Sequence, residues 1–351
     1  MTIENFLTSA MKKEASDLHL VAGLPPFIRV DGVLKELEKK PLAAKEIEIM
    51  VREIVDENRF KKFSIEKELD IAYETSDGSR FRINLHYEKG NIGLSARTIP
   101  SKIPTMEDIS MPEVVYDLCE LDRGLILFTG PTGCGKSTSL AAMINYINEN
   151  RNLNIVTLED PIEFVFKPIK SIVRQRQLGS DMMSFQSGLI HVLRQDPNVI
   201  MVGEMRDLET IATTITLAET GHLVFATLHT YSAAQTIDRI IDIFPPHQQN
   251  QIRMQISITL RGIISQRLIP KKNGGRVAVR EILLNTPAVA NLIRENKIAQ
   301  IKTTLQTSAR EGMITMDNAL LSLYQNGAIS KEIFEENVST PSKTKSFKLE
   351  V

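Results

Sequence analysis

Hydrophobic positions change their period several times along the chain. Ile3, Phe6, Leu7, Ala10 and Met11 recur at helical spacing, predicting an N-terminal helix docked on its own domain rather than a membrane anchor. "PPFIRVDGVLKEL" sets Asp31-Gly32 between apolar-rich runs, a hairpin signal, and a helical stretch follows over about 43–60. In "ELDIAYETSDGSRFRINLHYEKGNIGLSARTI", Asp77-Gly78 and Gly90 mark two turns, predicting three strands of an antiparallel sheet. Residues 1–100 thus read as a small α+β domain. The three prolines of "IPSKIPTMEDISMPE" and its lack of periodicity place a linker at 101–112.

From 113 the pattern is different. "GLILFTG", "LNIVTLED", "NVIMVGE" and "HLVFATLHT" are short apolar runs ending in polar or glycine-rich turns and alternating with helical segments. That alternation predicts an α/β domain over 113–338 built on a mostly parallel sheet, with a mainly helical part from about 285. The polar residues 339–351 read as a loosely held tail.

Between the first of these runs and the helical "KSTSLAAMINYI" lies "GPTGCGKST", Gly130, Pro131, Thr132, Gly133, Cys134, Gly135, Lys136, Ser137 and Thr138. It satisfies G-x-x-x-x-G-K-[ST] without a mismatch and in the strand–loop–helix context the motif requires. Glycines allow successive N–H groups to wrap an anion, and the helix N-terminus adds partial positive charge. Lys136 is placed to reach β- and γ-phosphates and Ser137 to ligate Mg²⁺, so ATP and Mg²⁺ are the expected cofactors. Cys134 reads as a small filler, or, from its place among anion-binding amides, as an oxidation-sensitive thiol.

Ligands of open α/β sheets bind at the carboxyl ends of strands. Here "NVIMVGE" ends in Gly203-Glu204, where many phosphate-loop ATPases carry Asp-Glu with the Asp supporting magnesium. Glu204 is expected to orient or deprotonate the attacking water and to support the metal through a bound water. The missing carboxylate is then supplied by Glu159 or Asp160 of "TLEDPIEF", with Glu163 just past the proline turn. His222 and His229 lie at opposite ends of one strand, about 23 Å apart. His229, at the carboxyl end, is the candidate γ-phosphate sensor, and His222 serves an interface or a loop. Arg80 and Arg82 share one strand face and Arg97 lies on another strand, so arginines are available for transition-state charge across an interface.

Taken in order, "ASDLHLVAGLPPFIRVDG", "GPTGCGKST", "TLEDPIEF", "VGEMRDLETI" and "TGHLVFATLHT" resemble the N-terminal signature, Walker A loop, Asp box, atypical Walker B and His box of the secretion-type ATPases. More narrowly the chain is similar to the pilus retraction ATPases, the PilT family, over nearly its whole length. The resemblance implies a PAS-like N-terminal domain, a RecA-like ATPase domain, a homohexamer, and work on an inner-membrane platform protein, alongside an accessory retraction ATPase. It implies a cytoplasmic protein at the inner face of that membrane. It also implies catalytic roles for Glu163 and Glu204 and phosphate contacts from Arg82 and Arg97. The glycine before Glu204 is expected in such a family. One departure stands out: the family's AIRNLI motif reads "AVANLI" at 288–293, with Ala290 in the arginine position.

Composition narrows the alternatives. With a net charge of −1, no Trp and no basic-aromatic stripe, nucleic acid is not an expected partner. No apolar run approaches a membrane span, and two cysteines support neither a disulfide framework nor a four-ligand zinc site. The remaining rivals are a pilus assembly or type II secretion ATPase and a nucleotide-gated ring with negligible turnover.

Overall fold

The computed structural model describes residues 2–30, 32–99 and 102–338. Asp31 of the first hairpin, Ser101 of the expected linker and the tail 339–351 lie outside the described residues. The described residues form two compact units, one within Met1–Lys102 together with Pro161–Val165, the other within Ile103–Asp160 and Phe166–Val351.

In the first unit, α1 (Ile3–Lys12) is followed by β1 (Asp17–Leu20), β2 (Phe27–Val30) and β3 (Val33–Glu36). Then come α2 (Ala44–Ile54), α3 (Glu57–Glu66), β4 (Glu68–Glu74), β5 (Arg80–Glu88) and β6 (Asn91–Ile99). The single helical stretch expected over 43–60 is two helices. Val55 is extended and Asp56 caps the second helix, accepting from the N–H groups of Asn58 and Arg59 at 3.0 and 2.9 Å. All neighbouring strands run antiparallel, in the order β3-β2-β1-β6-β5-β4. Val30 opposes Val33, so the first hairpin closes through Gly32 at φ +81°.

Period-two alternation divides this sheet into two faces. Leu18, Leu20, Phe81, Ile83, Leu85, Leu94 and Ala96 pack in one buried cluster with Phe6 and Leu7 of α1, Ile47 and Val51 of α2, and Phe63 of α3. The amphipathic stripe of α1 is therefore buried in its own unit. The opposite face is polar and carries Asp17, Arg29, Arg82 and Arg97.

The second unit begins with α4 (Glu113–Cys119), β7 (Gly124–Thr129), α5 (Lys136–Asn150), β8 (Asn154–Glu159) and β9 (Ile172–Gln177). It continues through α6 (Phe185–Val192), β10 (Val199–Val202), α7 (Leu208–Glu219), β11 (Leu223–Leu228), α8 (Ala233–Asp242) and α9 (Pro246–Thr259). The last elements are β12 (Leu260–Pro270), β13 (Arg276–Leu284), α10 (Pro287–Arg294), α11 (Ile301–Thr307), α12 (Met316–Gln325) and α13 (Lys331–Asn337). The seven strands lie in the order β13-β12-β7-β11-β10-β8-β9, parallel throughout except for β13 against β12. Parallel neighbours need long crossovers, and the helices that supply them cover the sheet. That is why β7, β10 and β11 are buried at every position.

The central order β7-β11-β10-β8 fixes the function-bearing edge. Thr129, Leu228, Val202 and Leu158 end adjacent strands in continuous register, so whatever follows each of them emerges side by side. Strands are about 4.8 Å apart.

Because Phe81 is fully buried under the helices of the first unit, Phe81→Ala is expected to cost about 3–5 kcal/mol. Urea denaturation of the full chain measures it, and a loss under about 1 kcal/mol contradicts this packing.

Candidate nucleotide site

The loop after β7 is shaped by three glycines. Gly130, Gly133 and Gly135 have φ of +145°, +77° and +84°, conformations that side chains resist. At Gly130 a Cβ would come within 2.3 Å of the carbonyl oxygen of Gln266, so no larger residue fits. Gln266, on β12 and buried, holds the loop from beneath by donating Nε2 to the carbonyl of Cys134 at 2.7 Å. Gly135 then caps α5, whose first turn presents Lys136, Ser137 and Thr138.

Lys136 is buried, and its ammonium donates to the carbonyls of Gly130 at 2.7 Å and Pro131 at 3.1 Å. It also lies 3.4 Å from Nδ1 of His229, which follows β11. An ammonium has no acceptor, so in this contact Nδ1 accepts and the ring hydrogen resides on Nε2. Nε2 is 3.0 Å from Oε1 of Glu204, which follows β10, and Arg206 donates to Oε2 of Glu204 at 2.7 Å. Loop, histidine and acid therefore form one line across three adjacent strands. Burial alone would raise the Glu204 carboxyl, but Arg206 and then His229 outweigh it and hold the group below the ordinary carboxylate range. These ion pairs contribute above that range and are lost as pH falls through the lowered value.

Gly203 acquires a physical reason here. Its N–H donates to the carbonyl of Leu158 at 2.8 Å, and its carbonyl accepts from the Thr227 hydroxyl. A Cβ at this position would meet the Leu158 carbonyl oxygen at 3.0 Å and Cα of Glu159 at 3.4 Å. The strand ends are too close together for the usual aspartate.

The other acids are distributed differently. Glu159 is buried, its Oε1 accepting from the Thr157 hydroxyl at 2.6 Å and from Nε2 of Gln175 on β9 at 3.0 Å. Asp160 is exposed and acts electrostatically on Arg206. Glu163, also exposed, belongs with the first unit. In that unit Arg82 is exposed and directly opposite Arg97 in the sheet, and Arg97 pairs with Asp17 at 3.0 Å. Arg80 pairs with Glu74 at 3.5 Å. His222 stands at the start of β11, its Nδ1 3.0 Å from the Leu217 carbonyl, in a loop-bracing role.

Cys134 differs from one expectation. Its thiol is buried at 4 % exposure beneath the loop, and burial pushes it up despite the opposing charge of Lys136. A reactive thiolate is therefore disfavoured, and the residue is a filler.

Beside the loop, Pro131, Thr132, Gly133 and Cys134 border a cavity of about 480 Å³ that is completed by Tyr231, Arg267, Leu268, Ile269, Arg276 and Asn337. Such a volume suits a small-molecule ligand. Sequence reading missed this wall, and missed Arg206 and Gln266. The signal for Gln266 was a polar residue inside the apolar run "GIISQRLIP". Distal to this site, α10 buries Val289 and Ile293 of "AVANLI", while Ala288, Asn291 and Leu292 line a second cavity against α11.

A glycine-wrapped loop feeding a helix, with a lysine beneath it and a glutamate on the adjoining strand edge, defines a phosphate-loop nucleotide-binding α/β protein. Residues 1–333 match the Type II/IV secretion system protein family, and the chain belongs to that family. It is 47 % identical to the "Type IV pilus retractation ATPase PilT" of Pseudomonas aeruginosa over 341 residues, 97 % of this chain and 99 % of that one. It is 46 % identical to a twitching motility protein of Neisseria gonorrhoeae over 313 residues, 89 % and 84 % of the two chains. The crystal structure of the pilus retraction motor PilT with bound ADP superposes with a TM-score of 0.92 at 44 % identity, covering 98 % of both chains.

Two outcomes follow from this geometry. Gly203→Ala is expected to lower stability by about 1–3 kcal/mol in a thermal melt, and Gly203→Asp to give no gain in nucleotide turnover; a more active Asp variant contradicts the close strand approach. Cys134 in the native chain is expected to alkylate at least about 100-fold more slowly than in the unfolded chain at pH 8, with the rate rising only above the usual thiol range. Equal rates contradict the burial.

Proposed function

We propose that this protein is the ATPase motor of type IV pilus retraction, hydrolysing ATP to ADP and phosphate to drive pilin depolymerisation and twitching motility. The observation that supports it most is likeness at full length to a retraction ATPase, joined to a loop–histidine–glutamate line at the strand ends. In this reading it works as a homohexamer at the cytoplasmic face of the inner membrane, against a platform protein. No helix among the described residues is long and apolar enough to cross a membrane itself.

The loop amides and Lys136 bind the β- and γ-phosphates, and the adjoining cavity receives the nucleoside. Among the described residues no group of three or more His, Cys, Asp or Glu could hold a metal ion. Hard oxygen donors at Ser137, Glu159, Asp160 and Glu204 instead suit a Mg²⁺ shared with the phosphates, with most of its shell completed by water. Bound there, Mg²⁺ neutralises charge on the phosphates.

Glu204 orients the attacking water and accepts its proton. His229 keeps Glu204 in register with Lys136, so the acid is aligned with the group that marks the terminal phosphate. Glu163, Arg82 and Arg97 complete the charge complement at a neighbouring subunit's nucleotide. Arg97 is 74 % exposed, so its pair with Asp17 is worth no more than about 1 kcal/mol and is readily exchanged for a phosphate. The Ala290 position lies away from the loop, and ATP turnover does not depend on it.

Glu204→Gln is expected to lower kcat at least about 100-fold while leaving ATP affinity intact, as measured by phosphate release and nucleotide titration. Parental turnover by that variant contradicts the assignment. Deletion in the source organism is expected to leave excess, non-retracting pili and abolish twitching. Cells without pili would instead indicate an assembly motor.

A further inference from the structure

Arg280 stands in the middle of β13 at 4 % exposure and makes no ion pair among the described residues. Burial pushes its guanidinium down to about 10. Holding a cation inside a fold without a counter-ion is unfavourable compared with an apolar residue of similar size. Such a group persists where its donors do something an apolar side chain cannot.

Those donors run between two places. Nε donates to Oε1 of Gln266 at 2.7 Å, and Nη2 lies 3.4 Å from the Ser139 hydroxyl on α5. Gln266 in turn holds the Cys134 carbonyl of the phosphate loop at 2.7 Å and accepts from Ser139 at 2.9 Å. On the other side Nη1 donates to the carbonyls of Ile109 and Ser110, at 3.1 and 3.0 Å. These carbonyls belong to a turn closed by Ser110 N–H to Glu107 and Met111 N–H to Met106, both at 2.9 Å. The turn lies a few residues after the chain enters the second unit at Ile103.

That turn is strained. Ser110 has φ +49°, in the left-handed region that a residue with a Cβ seldom occupies. Strain of this kind survives only where surrounding contacts over-determine it, and it concentrates at switching segments. Arg280 is the contact that reaches the Ser110 carbonyl.

We propose that Arg280 is a positioning residue that makes the phosphate loop and the strained 106–111 turn adopt their arrangements together, so that nucleotide at the loop sets the conformation of the turn. The guanidinium is a rigid fork whose donors cannot be redirected one at a time. If the Cys134 carbonyl moves, Gln266 follows. Arg280 then keeps its bonds only if the carbonyls of residues 109 and 110 move as well, because an unpaired buried donor is costly. The inference rests on the loop binding nucleotide.

Hydrogen exchange of the full chain with and without ADP tests it, with ADP affinity measured separately for each variant. In the wild type, ADP is expected to slow exchange over residues 106–111 about tenfold. Arg280→Gln should bind ADP within threefold of wild type, on the order expected for a residue that does not touch the ligand, yet lose this response. Should that variant not fold, Arg280→Lys serves: it retains a cation for the carbonyls but not the fork, and should recover the melting temperature without recovering the response. Ser110→Gly, which relieves the positive φ and leaves the network in place, should weaken the response. Undiminished slowing in the Arg280 variants, or a wild-type turn indifferent to bound ADP, overturns the coupling. A wild type that binds no ADP removes the nucleotide reading and this inference with it.

Discussion

The ammonium of Lys136 can only donate, and that fact orders the site around it. Its neighbours are two loop carbonyls and one imidazole nitrogen, so the imidazole must turn its hydrogen away, toward Glu204. A single donor-only group thereby sets the tautomer of His229, and the tautomer decides which residue on the next strand can be held. Glu204, with Arg206 on its other oxygen, is charged and aimed without any contribution from the missing aspartate at position 203.

The backbone makes that arrangement possible. Parallel register delivers the ends of β7, β11, β10 and β8 to one edge, and glycine lets them approach. Gly130 permits the loop to rest on the β12 backbone and Gly203 permits β10 to close on β8. An aspartate at 203 would push against the Leu158 carbonyl. The sheet has thus exchanged a metal-supporting carboxylate for a tighter strand edge, and the remaining acids are distributed around it. A buried polar layer of Gln266, Ser139 and Arg280 supports the loop from below.

How much of this was legible in the sequence varied with the kind of signal. Strong periodicity and punctuation carried the three antiparallel strands around Asp77-Gly78 and Gly90, the four central parallel strands, the phosphate loop and the stripe of α1. The break at Val55-Asp56 was missed because apolar positions continue in helical phase across it, and only the capping of α3 by Asp56 reveals it. Edge strands β9, β12 and β13 were missed for a related reason: "IVRQRQ" is short and polar, and β12 and β13 carry buried Gln266 and Arg280 that interrupt an otherwise apolar pattern. Cys134 was ambiguous because neighbouring amides suggest an activated thiol, and only burial showed the opposite. The Arg206–Glu204 pair joins residues two apart on an irregular turn, which no periodicity describes.

The central claim is that His229 carries alignment from Lys136 to Glu204. Steady-state ATP turnover of His229→Ala tests it most directly. The account predicts a kcat lowered by up to about 100-fold, the loss expected when a reacting group is misplaced by about 1 Å, with KM nearly unchanged. A His229→Ala enzyme with parental kcat, or one whose loss lay wholly in KM, would contradict it.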